Sequence, residues 1–200
     1  MNSINNLKFP LDFKFHIATI SNDFSVTDAN GQSVFYVREK IFTLRDKIKV
    51  FRNSNKTDLL YELTSNKLID FQQTFTITNQ QGNVIGKAKR KTLKSLWTAT
   101  FHIYDAQDKH SYTIKERSGL TRVMDGLFGE IPVLGFFSGY IFNPKYVLMD
   151  LNGKELMEIS KEPSFFGRKF KLENINAQPE DFELFILSYM LLLIGDRDRG

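Results

Sequence analysis

The chain has 200 residues, of which 42% are hydrophobic and 25% are charged, the balance of a globular protein with a substantial core. It contains no cysteine, so disulfides, catalytic thiolates and cysteine-ligated metals are excluded. The formal net charge of +4 is compatible with anionic partners but does not identify one.

The N-terminal part of the chain combines a polar start with one alternating strand. Residues 1–8 carry Asn and Ser in place of the basic stretch and apolar core of a signal peptide, which predicts a cytoplasmic protein. Apolar and polar residues alternate over residues 9–17, as they do in a strand that buries one face. The predicted inward positions are Phe9, Leu11, Phe13, Phe15 and Ile17.

A sequence repeat follows and determines the predicted fold. Each copy has an aromatic residue, an aliphatic residue two positions later, Asp or Asn four positions later, and Gly or Asp seven positions later. Residues two apart share one face of a strand, and Asp or Asn with Gly favours a tight turn, so each copy predicts a β-hairpin. The clear copies begin at Phe24, Phe75, Phe101 and Tyr146. A degenerate copy with a longer loop begins at Ile48.

These repeats account for most of a predicted single domain spanning residues 1–200. Five hairpins and the N-terminal strand give eleven or twelve strands. On the returning strands, the predicted inward residues are Phe35 and Val37, Tyr112 and Ile114, and Met157 and Ile159. The interval between residues 117 and 145 leaves room for one more irregular hairpin. Its Gly- and Phe-rich segment 126–142 is interpreted either as barrel strands with glycine at sharp corners, or as an apolar loop that covers a barrel mouth, contacts a membrane or binds a protein partner.

The last predicted element is a helix over residues 179–194, ~24 Å long at ~1.5 Å per residue. Pro179 suits the first helical position, acidic residues follow it near the positive end of the helix dipole, and Gly195 is a natural stop. Residues 184–194 are apolar on all sides except for Ser188, so the helix must be buried in protein or in lipid. The apolar run is shorter than the roughly 20 residues of a membrane span, which favours burial in protein.

Many hairpins followed by one apolar helix predict a closed antiparallel β-barrel of about twelve strands, a meander of hairpins that encloses the C-terminal helix. Such a barrel leaves no unpaired edge strand and covers the helix on every side.

This combination resembles the tubby C-terminal-like superfamily, and within it the LURP-one-related proteins, which are relatives of phospholipid scramblases. The resemblance covers most of the chain and is carried by the hairpins 24–40 and 75–91, the links 40–47 and 67–71, and the helix 181–194 followed by Asp196. It implies a barrel around a central helix, in a superfamily that includes phosphoinositide-binding domains. The chain has no match to the tubby phosphoinositide-binding signature, and without cysteine it lacks the palmitoylated segment of scramblases.

Catalytic and metal-binding patterns are scarce in the sequence. His16, His102 and His110 match no zinc motif, and the first two sit at outward strand positions while the third falls in a turn. They are interpreted as ordinary surface residues. No nucleophile elbow, phosphate-binding loop, dinucleotide fingerprint or calcium loop is present, so the sequence predicts no enzyme, no cofactor and no metal site.

Basic residues recur fourteen and sixteen positions after the lead aromatic in three of the four clear repeats, where they point outward. Together with one neighbouring lysine they form a predicted outer basic wall, which consists of Arg38, Lys40, Lys87, Lys89, Lys91, Lys115 and Arg117. One interpretation is a solvated strand face that hinders edge pairing. The other is a surface for anionic lipid headgroups or phosphate-bearing ligands. Aromatic residues interleave with these cations only on the inward side, so nucleic acid is not favoured.

The sequence leaves three functional hypotheses open. The first is a non-enzymatic binding or scaffold module that engages anionic phospholipid or a membrane surface through the outer basic wall. The second is a protein-interaction module without a lipid role, which uses the segment 126–142. The third and weakest is a small-ligand carrier or an enzyme of unknown type. A monomer is expected, in the cytoplasm or peripheral at a membrane.

Overall fold

Twelve antiparallel strands close into one barrel in the computed structural model of the chain, which describes residues 4–16, 23–40, 47–65, 73–91, 100–117, 145–163 and 168–197. The strands are β1 (Leu11–Phe15), β2 (Phe24–Thr27), β3 (Ser33–Lys40), β4 (Lys47–Phe51), β5 (Leu59–Ser65), β6 (Thr74–Asn79), β7 (Val84–Lys91), β8 (Thr100–Asp105), β9 (His110–Glu116), β10 (Lys145–Asp150), β11 (Glu155–Glu162) and β12 (Lys169–Asn174). Each strand pairs with its neighbours in sequence, and the pairing of β1 with β12 closes the ring. The predicted fold class is confirmed.

Alternating burial along the strands separates the inside of the barrel from its outer wall. On β1, the apolar residues Leu11, Phe13 and Phe15 are buried and the polar residues between them are exposed, as predicted. The predicted inward residues of the returning strands are buried too, except Tyr112, which is half-buried against the core. The predicted inward residue Ile17 lies outside the described residues.

The four clear hairpins share one turn geometry, which explains the repeated Asp or Asn. The side-chain Oδ1 at this position accepts the N–H groups two and four residues later, at distances between 2.8 and 3.1 Å. The residue three positions later has a φ between 64° and 84°, a conformation that favours glycine. The anchoring residues are Asp28, Asn79, Asp105 and Asp150, and the residues with positive φ are Gly31, Gly82, Asp108 and Gly153.

The strand that closes the barrel, β12, is not among the strands that the repeat predicts. It pairs with β11 on one side and with β1 on the other, and its Phe170 and Leu172 are buried. β9 and β10 pair directly, with Glu116 opposite Tyr146, although a long interval separates them in sequence. The extra hairpin predicted in that interval lies outside the described residues, as does the Gly- and Phe-rich segment 126–142.

A single 3₁₀ turn (Pro179–Asp181) leads into the helix α1 (Phe182–Arg197). Residues 184–194 are each 8% exposed or less, which places the helix inside the barrel, as predicted. The helix continues through Gly195, so the predicted stop at this residue is wrong; one glycine costs a helix only about 1 kcal/mol. In the part of the chain that the structure describes, no helix has the length and apolar character needed to cross a membrane.

Buried polar atoms of the helix have hydrogen-bond partners within the barrel. The Ser188 hydroxyl donates to the Leu184 carbonyl oxygen at 2.7 Å. The Tyr189 hydroxyl donates to the Met157 carbonyl oxygen at 2.9 Å, and burial raises the pKa of this phenol well above its ordinary value. Tyr189 therefore stays neutral and joins the helix to β11.

Gly86 on β7 lies against both the neighbouring strand β8 and the helix. A Cβ atom at this position would lie 2.5 Å from the Tyr104 carbonyl oxygen and 2.7 Å from Leu184 Cδ1. Real Cβ atoms do not make contacts this short, so the strand or the helix would have to move. Only glycine, which has no Cβ atom, therefore fits at this position.

We predict that Gly86→Ala lowers the free energy of unfolding by about 1–3 kcal/mol, the usual cost of overpacking a core. Chemical denaturation of the variant and the wild type measures this change. Thr76→Val on the outer wall of the neighbouring β6 is the control, and it should change the free energy of unfolding by no more than about 0.5 kcal/mol. Equal stability of Gly86→Ala and the wild type would show that the helix and β7 have room between them.

We also predict that truncation before Phe182 yields an insoluble or molten product. Without the helix, inward residues such as Phe35, Phe101 and Ile159 lose their cover. The product should bind the dye ANS and should show no cooperative unfolding transition. A soluble truncated chain that unfolds cooperatively would contradict the role of the helix as the centre of the core.

Candidate functional site

The helix fills the barrel, so side chains that point outward or lie at the barrel ends are the ones able to meet a partner. Residues 184–194 occupy the interior, and the inward side chains of the strands pack against them. The predicted outer basic wall belongs to the outward side chains. Its availability to a partner depends on which carboxylates lie beside each cation.

The cations of the predicted wall lie on three strands. Arg38 is on β3, Lys87 and Lys89 are on β7, and Lys115 is on β9. Arg117 is the first residue after the end of β9. Arg38, Lys115 and Arg117 are exposed, and the two β7 lysines are half-buried. The side chains of the other two predicted members, Lys40 and Lys91, lie outside the described residues.

The predicted wall is not one continuous surface, because β4, β5 and β6 separate Arg38 from the β7 lysines. Arg38 lies opposite Lys49 in the register of β3 and β4. Beside this pair, Glu62 on β5 contacts Lys47 at 2.8 Å and Lys49 at 3.7 Å, which offsets part of their charge. The β3 part of the wall is therefore a surface of mixed charge.

Arg117 differs from the other cations because two carboxylates neutralise it. Its Nη2 lies 2.7 Å from a Glu155 oxygen, and its Nε lies 2.7 Å from a Glu158 oxygen. The hydrogen bond to Glu155, followed by the attraction of Glu158, raises the pKa of Arg117 above its ordinary value. Arg117 therefore joins the end of β9 to β11 and leaves little positive charge for an anion.

The remaining cations lie closest together on the outer side of β7, β8 and β9. We call this surface the β7–β9 face; it consists of Lys87, Lys89, Thr100, His102, Tyr104, His110, Thr113 and Lys115. Lys89 lies opposite His102, and His102 lies opposite Thr113, so these side chains form a row across three strands. Directly opposed side chains in such a row have Cβ atoms roughly 5 Å apart. Lys115 lies in the adjacent row, opposite Thr100.

The β7–β9 face carries little negative charge. Asp108 in the turn between β8 and β9 contacts Lys87 Nζ at 2.9 Å. Asp105 is occupied by backbone N–H groups of the same turn. Within the described ranges, neither Lys89 nor Lys115 forms an ion pair. Within the β7–β9 face, these two lysines are therefore the cations most available to an anion.

Two histidines meet at the centre of this face, although the sequence predicts them only as ordinary surface residues. His102 Nδ1 lies 2.9 Å from His110 Nε2, and the latter lies 3.1 Å from the Tyr112 carbonyl oxygen. The same nitrogen lies 3.2 Å from the Thr113 hydroxyl oxygen, so His110 Nε2 has three polar neighbours. A register shift beside Tyr104 pairs that residue with His110 and so brings the two rings together. The repeated turn is the sequence signal that would have located this pair.

A second polar cluster lies on the outer wall near β2 and β3. The Tyr36 hydroxyl donates to Asp23 Oδ2 at 2.6 Å, and Lys56 Nζ lies 3.4 Å from the same oxygen. The His16 ring stacks on Tyr36 with 5.8 Å between ring centroids. Burial, reinforced by Asp23, raises the pKa of Tyr36 to about 12, so this phenol is a hydrogen-bond donor and not a base near neutral pH. The cluster holds the loop between β4 and β5 against the wall.

No group of three or more histidine, aspartate or glutamate side chains among the described residues is arranged to hold a metal ion. Comparisons of the chain with protein-family models, with curated proteins and with solved structures gave no match. The resemblance to the tubby C-terminal-like superfamily and its LURP-one-related proteins therefore stays a prediction.

Proposed function

We propose that the protein is a non-enzymatic binding module that engages the anionic phospholipids of a membrane surface through the β7–β9 face. The supporting observation is the placement of Lys89 and Lys115 around His102, with no carboxylate of the described residues paired to either lysine. Hydroxyl and imidazole groups on the same face can donate further hydrogen bonds to phosphate oxygens. In this proposal the protein acts in the cytoplasm as a peripheral membrane protein.

The number of cations makes the proposed interaction weak and reversible. Each lysine near an anionic bilayer contributes roughly 1 kcal/mol, so Lys89 and Lys115, which are not paired with a carboxylate of the described residues, supply roughly 2 kcal/mol. The attraction fades beyond a Debye length of about 8–10 Å at physiological salt. Binding is therefore expected only at anionic surfaces, and it should weaken steeply as salt is added.

The resemblance to LURP-one-related proteins, and through them to phospholipid scramblases, favours a phospholipid over other anions. Scrambling itself is not part of the proposal, because the palmitoylated cysteine-rich segment has no counterpart in a chain without cysteine. The protein-interaction hypothesis, which rests on residues 126–142, is the alternative that the following experiment separates from lipid binding.

We predict that the double substitution Lys89→Glu and Lys115→Glu weakens binding to anionic vesicles by about 100-fold or more. It changes four units of charge, each worth roughly 1 kcal/mol at the surface before screening by salt. Cosedimentation at low salt with phosphatidylcholine vesicles, with and without phosphatidylserine, measures the binding. The free energy of unfolding should change little, because both side chains lie on the outer wall.

The matched control is the double substitution Lys14→Glu and Lys169→Glu. These exposed lysines lie opposite each other on β1 and β12, on the far side of the barrel, and their reversal changes the net charge equally. The control should keep most of its binding, and equal losses in both variants would show that only net charge matters. If the wild type binds neutral and anionic vesicles equally, the β7–β9 face is a solvated surface and the protein-interaction hypothesis takes first place.

A further inference from the structure

A cavity of about 560 Å³ opens at the end of the barrel where the helix begins. Three segments that are distant in sequence line it: the N-terminal turn, the first hairpin from its turn into β3, and the segment from the end of β4 into β5. Cavities of roughly 300–1,000 Å³ with mainly apolar walls are typical of small-molecule sites.

The N-terminal segment forms one wall of this cavity and is fixed in place by contacts on both sides. Its 3₁₀ turn (Ile4–Asn6) lies against the start of the helix. The Phe9 ring meets the Phe182 ring edge-on, with 4.9 Å between centroids. The Lys8 carbonyl oxygen accepts the Ala29 N–H at 2.9 Å. The cavity is therefore a built feature of the fold.

Apolar side chains form most of the cavity wall. Leu7, Val34 and Leu60 line its sides. Phe35 and Tyr61 lie nearest the core, at 1% and 9% exposure, with their rings in an edge-to-face contact of 6.0 Å between centroids. These surfaces suit a hydrocarbon or aromatic body, and aromatic faces also attract cations.

The ionised residues of the wall carry a net negative charge, since Asp28 and Asp58 line the cavity with Arg52 as their one cationic counterpart among the lining residues. Arg52 Nε lies 2.5 Å from Asp58 Oδ2, so this pair neutralises itself. Asp28 is the remaining carboxylate, only 5% exposed, and two backbone N–H groups of its own turn hold its Oδ1. An anionic ligand would meet this uncompensated carboxylate, whereas a cationic ligand would neutralise it.

We infer that this cavity binds a small organic amine, a molecule with an aromatic or hydrocarbon body and one protonated amino group. The body packs on Leu7, Val34 and Leu60, and the ammonium group lies near Asp28. The site does not depend on phospholipid binding by the β7–β9 face, because none of its lining residues belongs to β7, β8 or β9.

The test compares two probes of matched shape and opposite charge, tyramine and 3-(4-hydroxyphenyl)propionate. Each is titrated into ¹⁵N-labelled full-length protein while amide signals are followed by NMR. Tyramine should shift the amides of Val34, Leu60 and Tyr61, and the carboxylate should bind at least about tenfold more weakly, since like charges repel in a partly desolvated site. Equal affinities, or tyramine shifts confined to other parts of the barrel, would overturn the proposal.

Asp28→Asn removes the charge of this side chain and should keep the turn. In the β6–β7 hairpin, an asparagine stands at the corresponding position: Asn79 accepts the N–H groups two and four residues later, at 3.1 and 2.9 Å. Asp150→Asn makes the identical change in the β10–β11 hairpin, whose turn does not line the cavity. Tyramine should bind about tenfold more weakly to the first variant and normally to the second. Unchanged affinity in Asp28→Asn, or equal losses in both variants, would contradict the assignment of Asp28.

Discussion

The structure depends on one constraint: the helix α1 has no polar face, so protein must cover it on every side. Burying about ten large apolar side chains contributes roughly 15–30 kcal/mol before conformational entropy is counted, which is an upper bound. A closed ring of strands provides this cover and leaves no edge strand exposed. As a result, the helix fills the interior of the barrel. The same constraint also explains Gly86, because the Tyr104 carbonyl oxygen and the Leu184 side chain of the helix leave no room there for a methyl group.

A filled interior leaves the outer wall for recognition, and there the neighbours of a cation decide its availability. The repeat places Lys115 on β9 and Arg117 two positions later, immediately after the end of that strand, yet their surroundings differ. Arg117 meets Glu155 and Glu158 of β11 and becomes part of the wall's own ion pairs. Lys115 lies opposite Thr100 and forms no ion pair with the described residues. A repeat therefore fixes the direction in which a side chain points, and cross-strand pairing fixes what it can bind.

Features with a local cause could be predicted from the sequence, and features that depend on cross-strand register could not. The anchoring Asp or Asn and the glycine three residues later lie within one turn, so the hairpins follow from composition and spacing alone. β12 matches the repeat at Phe170, Leu172 and Asn174, but Ala177 stands where the repeat has Gly or Asp, so the complete pattern does not include this strand. The contact of His102 with His110 requires the register shift beside the turn. The cavity needs three segments that only the folded barrel brings together.

The two proposed sites have opposite charge, and this has consequences for how the barrel would lie on a membrane. The β7–β9 face is cationic, whereas the cavity at the barrel end has a net negative wall. An anionic surface attracts the first and repels the second, so both terms favour one orientation, with the lysines toward the lipid and the cavity toward solvent. The field of such a surface fades within a Debye length, about 8–10 Å at physiological salt. A cavity turned toward solvent is therefore screened from the lipid, and an organic amine bound near Asp28 would change docking of the face little.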